Sequence, residues 1–294
     1  MNRSKRLSPL GVIGIALGLS GAFVGYQASA QDFAITGATL ATGDGSAPIE
    51  NATVVVRGGK VVAAGAGVAV PAGVPVSDGT GTWVTPGLFA TVTNLGLVDV
   101  DAVSQSNDTA ARESPFSAAL DVSVAINPAS QNIQVNRAAG ITRAAVAPSA
   151  TGSIFAGQGA IIDLGADDSA VRRARAFQYV ELGETGGRIA GGSRLAAHTL
   201  LRNALREAGR FGEQSGLTTG ARNAAPVDTG DDLPIDPRLT ESGAERAGDV
   251  LLTRFDAAAL VPVVNGRQPL YVRVERGADI RAALALTREF PRLR

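Results

Sequence analysis

The rhythm of the chain changes once, at Pro86, and that change limits the folds open to it. Before it, apolar residues come in short β-runs; after it, β-rich runs alternate with stretches of helical spacing. Phe33 to Leu40 (FAITGATL) alternates loosely. Ala52 to Arg57 (ATVVVR) and Lys60 to Ala64 (KVVAA) flank Gly58-Gly59. Two β-runs around Gly-Gly predict a tight hairpin, because both turn residues can take positive φ. Val74 to Val84 returns to the sheet.

Beyond Pro86, Leu88 to Leu95 reads as a strand, and Ile126 to Ala139 as a loop running into a helix that Gly140 stops. Ile141 to Ala147 is a strand ended by Pro148, and Ala160 to Leu164 and Phe177 to Leu182 are further short strands. Ser193 to Ala208 predicts a helix: Ser193 caps it, Ala197, Leu201, Leu205 and Ala208 line one face, and Gly209 follows. Residues 210–249, polar and rich in Gly, Asp and Pro, read as a long loop with at most one helical turn. Asp256 to Val264 is a helix, Pro269 to Val274 a strand and Ala278 to Phe290 a helix. Strands alternating with helices predict a parallel sheet or barrel. The fold class expected is α/β, and no internal repeat is evident.

Aromatic residues are only 4% of the chain and glycines number 36, so the core of these elements must rest on Val, Ile, Leu and Ala. With 294 residues, 45% of them hydrophobic and 18% charged, the chain is globular and long enough to bury such a core. The first thirty residues stand apart. Arg3, Lys5 and Arg6 form a basic start, Leu10 to Val24 is an apolar run, and Ala28-Ser29-Ala30 is a small-x-small cleavage site. This is the pattern of a secretory signal peptide, residues 1–30, and predicts a periplasmic or secreted bacterial protein. An uncleaved anchor is the alternative, against which the run is short and interrupted by glycine.

The compartment is oxidising, yet cysteine is absent. Disulfides, thiolate metal sites and cysteine nucleophiles are excluded. Basic and acidic residues balance at 27 each, and cleavage removes three basic residues and no acidic one. The mature protein is slightly acidic, which predicts neither nucleic acid nor an anionic membrane surface as a partner.

The hairpin followed by WVTPGL and then α/β alternation resembles the amidohydrolase superfamily, and within it the exported, imidazolonepropionase-like members. The opening ITGATLATGDG with IENATVVVRGGKVVAAG is similar to that family's small β-sandwich. Further matches are INPASQNIQVNRAAGITRAAVAPS at 126–149, GQGAIIDLG at 157–165, GGSRLAAHTLLRNALREA at 191–208 and LVPVVNGRQPLYVRVERGADIRAALALTREF at 260–290. The resemblance implies a β-sandwich segment over 31–85 and, over 86–294, part of a metal-dependent (β/α)8 TIM-like barrel. The site would lie at the C-terminal face of the barrel.

The family's chemistry is metal-assisted hydrolysis. A divalent ion, usually zinc, lowers the pKa of bound water from nearly 16 toward about 7 and polarises the scissile carbonyl. A His-x-His on the first barrel strand supplies two imidazoles on one side, because strand side chains alternate with period two. The places that match this His-x-His hold Val92 and Asn94. Valine has no lone pair to offer, and an amide oxygen replaces imidazole poorly on zinc. The fifth-strand histidine falls where Arg273 stands, a permanent cation that repels a divalent ion.

No other residue rescues the set. His198 is the sole histidine and lies on the predicted helix, on the barrel's outer wall by this reading. Lys60 is the sole lysine beyond the signal segment and sits beside the hairpin glycines, so a carbamylated barrel lysine is excluded. Asp99 and Asp101, Asp167-Asp168 and Asp231-Asp232 could serve a hard ion, though Asp-rich loops are ordinarily solvated turns. There is no G-x-S-x-G elbow, and GSIFAGQG at 152–159 lacks both a phosphate-loop lysine and a dinucleotide spacing.

The expected cofactor is therefore none, and no catalytic residue or metal ligand is assigned. Val92, Asn94 and Arg273 mark the former metal positions. The resemblance implies three more barrel strands, a last Asp ligand and C-terminal sandwich strands, to which nothing up to Arg294 corresponds. A partial barrel has two open edges, which predicts a second amidohydrolase-like chain or homo-oligomerisation, an open sheet that packs on itself, or a truncated product without a stable fold.

Three functions compete: an inactive relative serving as scaffold or partner subunit; a hydrolase of non-peptide carbon–nitrogen bonds completed by a second chain; and a periplasmic small-molecule binding module. In the last, Arg273 and Asn94 would face an anionic or amide-bearing ligand. The plain alternative for Arg273 is an ion pair with Glu275 or Asp279.

Overall fold

A computed structural model describes residues 32–100, 103–165, 169–215 and 251–294. The expected signal peptide, Asp101, Asp167, Asp168, Asp231 and Asp232 lie outside the described residues, as does most of the expected 210–249 loop. The chain divides into two compact units, up to Pro86 and from Gly87 onward.

The first unit is a five-stranded sheet: β1 (Phe33–Leu40), β2 (Ile49–Arg57), β3 (Lys60–Ala66), β4 (Val76–Asp78) and β5 (Trp83–Val84). β3, β2, β1 and β4 lie side by side, and β5 also pairs with β1. The Gly58-Gly59 hairpin forms as expected, with both residues at positive φ, 55° and 74°, and Arg57 opposite Lys60. Two small apolar clusters hold the sheet. Ala34, Val55 and Val74 form one; Leu40, Ala52 and Val54 form the other. Valines contributed by adjacent residues of β2 thus serve both clusters, as strand alternation requires.

The second unit carries the elements that position the candidate site. Its sheet runs β10-β9-β8-β7-β6, with β6 (Leu88–Thr93), β7 (Ile141–Val146), β8 (Phe155–Asp163), β9 (Val171–Glu181) and β10 (Leu270–Arg273). β6 with β7 and β9 with β10 are parallel. β8 is antiparallel to both of its neighbours, so the expected all-parallel order is corrected. The runs read as 160–164 and 177–182 are the cores of two longer strands forming an antiparallel pair with no helix between them. Gly157 and Gly159 interrupt the apolar pattern of β8, and Arg172, Arg173 and Arg175 interrupt that of β9, which is why the sequence showed only their ends. Val92 of β6 and Tyr271, Val272 and Arg273 of β10 line one depression, so the two edge strands face each other across the concave side of a curled, incomplete barrel wall.

The convex face is the core. Ala144, Val146, Ala160, Ile162 and Leu164 pack with Leu95, Leu97, Val122 and Ile133, the last from α1 (Gln131–Ala138). Val180 and Leu182 pack against α3 (Arg194–Ser215), α4 (Arg254–Val264) and α5 (Gly277–Glu289), while a short α2 (Glu184–Ile189) leads into α3. Ser193 Oγ accepts the Leu195 N–H at 3.2 Å, as an N-cap does. Ala197, Leu201, Leu205 and Ala208 are fully buried, the face the sequence indicated.

Gly209 does not end this helix, contrary to expectation. α3 continues through Gly209 to Ser215, and a Cβ at Gly209 would lie 3.7 Å from Val264 Cγ1 of α4. A methyl group there would sit at ordinary contact distance, so the helix runs through the glycine without being ended by it. No helix among the described residues is long and apolar enough to cross a membrane.

Candidate functional site

The concave face differs from the convex one in being only partly covered. Ala145, Ala147, Ile161, Phe177 and Tyr179 form a thin apolar layer on it. β9 and β10 pair with Tyr179 beside Tyr271 and Glu181 beside Arg273. Parallel pairing in register sets these four side chains on one face, with the Glu181–Arg273 pair at the C-terminal ends of the strands.

Glu181 is 3% exposed. Its Oε1 accepts from the Arg273 guanidinium, Nη1 at 3.4 Å, and from the Tyr179 hydroxyl, also at 3.4 Å. Its Oε2 is buried without a hydrogen-bond partner. Burial pushes the Glu181 carboxyl above its ordinary range, against the opposing pull of the Arg273 charge and the Tyr179 hydrogen bond. Burial, with the Glu181 charge added to it, also raises the Tyr179 phenol. The Arg273 guanidinium is held still more firmly protonated by Glu181. Arg273 thus takes Glu181 as its ion-pair partner rather than Glu275 or Asp279.

Those two acids are engaged elsewhere. Glu275 Oε2 accepts the Glu184 N–H at 2.9 Å, and Asp279 pairs with Arg194 at 3.1 Å.

The three marked positions are not gathered as a metal site requires. Val92 and Arg273 line a common depression of about 560 Å³ together with Thr91, Tyr179 and Tyr271; Asn94 does not line it. Val92 has φ of 52°, and the register between β6 and β7 slips between Ala90 and Thr93. This is a bulge with a β-branched residue in the left-handed region, at a cost of about 1–3 kcal/mol. It breaks the period of two that would set positions 92 and 94 on the same side. Asn94 is exposed, and its carbonyl accepts the Leu97 N–H at 3.0 Å.

The remaining candidates are equally scattered. His198 is half-buried on α3, where burial and Arg202 depress its imidazole while Asp279 opposes them. Lys60 is an exposed hairpin residue. Asp99 accepts from Asn127 Nδ2 at 2.7 Å. Among the described residues no group of three or more His, Cys, Asp or Glu stands close enough to hold a metal ion. The residues present at the marked positions do not fit one either: an aliphatic side chain, an amide turned elsewhere and a guanidinium already paired.

Tyr179 and Glu181 were not singled out from sequence. Their signal was present in FQYVE, where period two places Phe177, Tyr179 and Glu181 on one face with an acid as the last strand residue. An isolated Glu at the end of an apolar run reads equally well as the solvated end of a strand.

No protein-family model matches the chain, and no curated protein matches it. Among solved structures, an amidohydrolase from Thermotoga maritima is similar with a TM-score of 0.66 and 18% sequence identity, over 88% of this chain and 62% of that one. A structure of molinate hydrolase shares 30% identity over 24% of this chain and 15% of its own, with a TM-score of 0.22, too low to carry a structural comparison. The Thermotoga likeness shows the fold: an α/β architecture with a curled, incomplete barrel wall. This chain spans less than two thirds of that protein's length.

Proposed function

We propose that this protein is an exported member of the amidohydrolase superfamily, related to its imidazolonepropionase-like branch, that has given up metal-assisted hydrolysis and serves as a scaffold or partner subunit. The reading takes residues 1–30 as a signal peptide, 31–85 as the sandwich segment and the periplasm or exterior as its location. The observation that carries it is the state of Arg273. A guanidinium bound to Glu181 stands at the strand end from which the resemblance draws a metal-binding histidine, and a fixed positive charge there opposes a second cation.

The test is direct. Purified protein is assayed for bound transition metals by mass spectrometry and for hydrolysis of cyclic amides and dipeptides. The expected result is substoichiometric metal and no turnover above buffer. Stoichiometric zinc together with turnover would overturn the reading.

A second reading rests on the edges of the larger sheet. Among the described residues β6 and β10 each pair on one side only, so a second chain or copy could extend the wall and supply ligands for hydrolysis of carbon–nitrogen bonds. It predicts co-purification of a partner and metal binding only in the assembly. The first-strand positions would still hold Val92 and Asn94.

A further inference from the structure

We infer that the concave face binds a small aromatic carboxylate, its carboxylate forked on the Arg273 guanidinium and its ring laid against Tyr271. The inference is independent of whether the protein acts as a scaffold.

The depression has the size of a small-molecule site, about 560 Å³. Among the described residues that line it, Arg273 is the sole charged one, and it offers N–H donors to an anion. The Arg273 side chain is 59% exposed and its Nη1 is directed to Glu181. A guanidinium carries five N–H donors in a planar fork, which leaves an edge for a second carboxylate. Glu181 beneath it is 3% exposed, and its Oε2 lacks a partner. Glu181 engages the guanidinium through one oxygen at 3.4 Å, so it competes with an incoming carboxylate without occupying the whole fork.

The aromatic half of the site is built by a stack. A Cβ on Gly159 would lie 2.1 Å from the Phe177 ring, so the glycine is what gives that ring its place against the sheet. Tyr271 stacks on Phe177 with centroids 4.1 Å apart and planes inclined by 15°. Tyr271 remains 37% exposed and lines the depression. A flat ring against Tyr271 would extend the stack, and Val92 lines the same depression. Val92, Tyr271 and Arg273 thus converge on one volume in which an apolar ring and an anionic group are both matched.

The test is isothermal titration of the full chain with sodium benzoate, benzamide and acetate. Benzoate should bind saturably at one site with a Kd of about 1 mM or tighter. Benzamide, without the charge, and acetate, without the ring, should each bind about tenfold more weakly or worse. Glu181→Gln, which removes the competing carboxylate, should tighten benzoate binding. Because Arg273→Gln alone would strand Glu181, the double variant Glu181→Gln/Arg273→Gln is the decisive one. It should lose benzoate binding about tenfold or more while keeping a wild-type far-UV spectrum and a cooperative melt. Absence of saturable benzoate binding, equal affinity for benzamide, weaker binding in Glu181→Gln, or an unchanged affinity in the folded double variant would each overturn the inference. None of these outcomes depends on metal content or hydrolysis, so failure here and failure of the scaffold reading are distinguishable.

Discussion

Phe177 on β9 and Gly159 on β8 are register partners, and the Phe177 ring fills the space that a side chain at Gly159 would need. Phe177 is 1% exposed and carries the stack with Tyr271. Gly159→Ala must displace the ring, so it should destabilise the protein by about 1–3 kcal/mol through overpacking. Urea denaturation should show a lower midpoint with an unchanged slope. Unaltered stability would mean that the concave layer is looser than the stack implies.

Glu181 predicts a pH dependence of known sign. Burial raises its folded-state pKa above the ordinary value of 4.5. Between those two values the folded state holds more protons than the unfolded one, so this group's contribution to stability declines as pH rises. It is fully present below about pH 4.5 and lost once pH has passed the raised value. Urea midpoints for wild type and Glu181→Gln across pH 4–8 isolate the effect, since the amide does not titrate. A difference between the two proteins that grows in favour of wild type with rising pH would contradict the placement of Glu181.

Asp256 ties two distant segments together. Its Oδ1 accepts the Ser117 and Ala119 N–H groups at 2.8 and 2.9 Å, and its Oδ2 accepts the Thr253 hydroxyl at 2.8 Å. Asp256→Ala would leave those backbone donors unpaired and weaken the N-terminal cap of α4, at a cost of about 2–5 kcal/mol. Asp256→Asn keeps one acceptor oxygen and should cost less. Chemical denaturation of both variants checks the order.

Two leucines on opposite faces of α3 should respond unequally to truncation. Leu201 is fully buried between the sheet and α4, whereas Leu195 is 77% exposed. Leu201→Ala should cost about 2–5 kcal/mol, and Leu195→Ala no more than about 0.5 kcal/mol. Melting curves of the pair test the assignment of the α3 face.

Restoring the two imidazoles on the first barrel strand should not restore zinc affinity. Val92→His/Asn94→His would place one ring at the positive-φ bulge and the other outside the depression that Val92 and Arg273 share. Zinc titration followed calorimetrically should match wild type. A new tight site would show that the bulge relaxes when ligands are supplied.

The sequence by itself determined where most strands and helices fall, the Gly58-Gly59 hairpin, the buried face of α3 and the chemical poverty of the marked positions. These depend on interactions within one element, or on which residue types exist at all. Two imidazoles cannot be assembled from one histidine, whatever the fold. Tertiary structure decided the rest.

β8 runs against its neighbours because pairing direction is fixed between strands, and its glycines and the arginines of β9 hid the length of both. Gly209 reads as a helix stop in one dimension, yet α3 runs through it to Ser215, with Ala208, Gly212 and Ser215 buried on the way. Arg273 has three acids within reach in sequence or along the strand, and only the register of β9 against β10 selects Glu181. A side chain's partner is set by distance in space, and local sequence carries that distance only where the two residues share one helix or one hairpin.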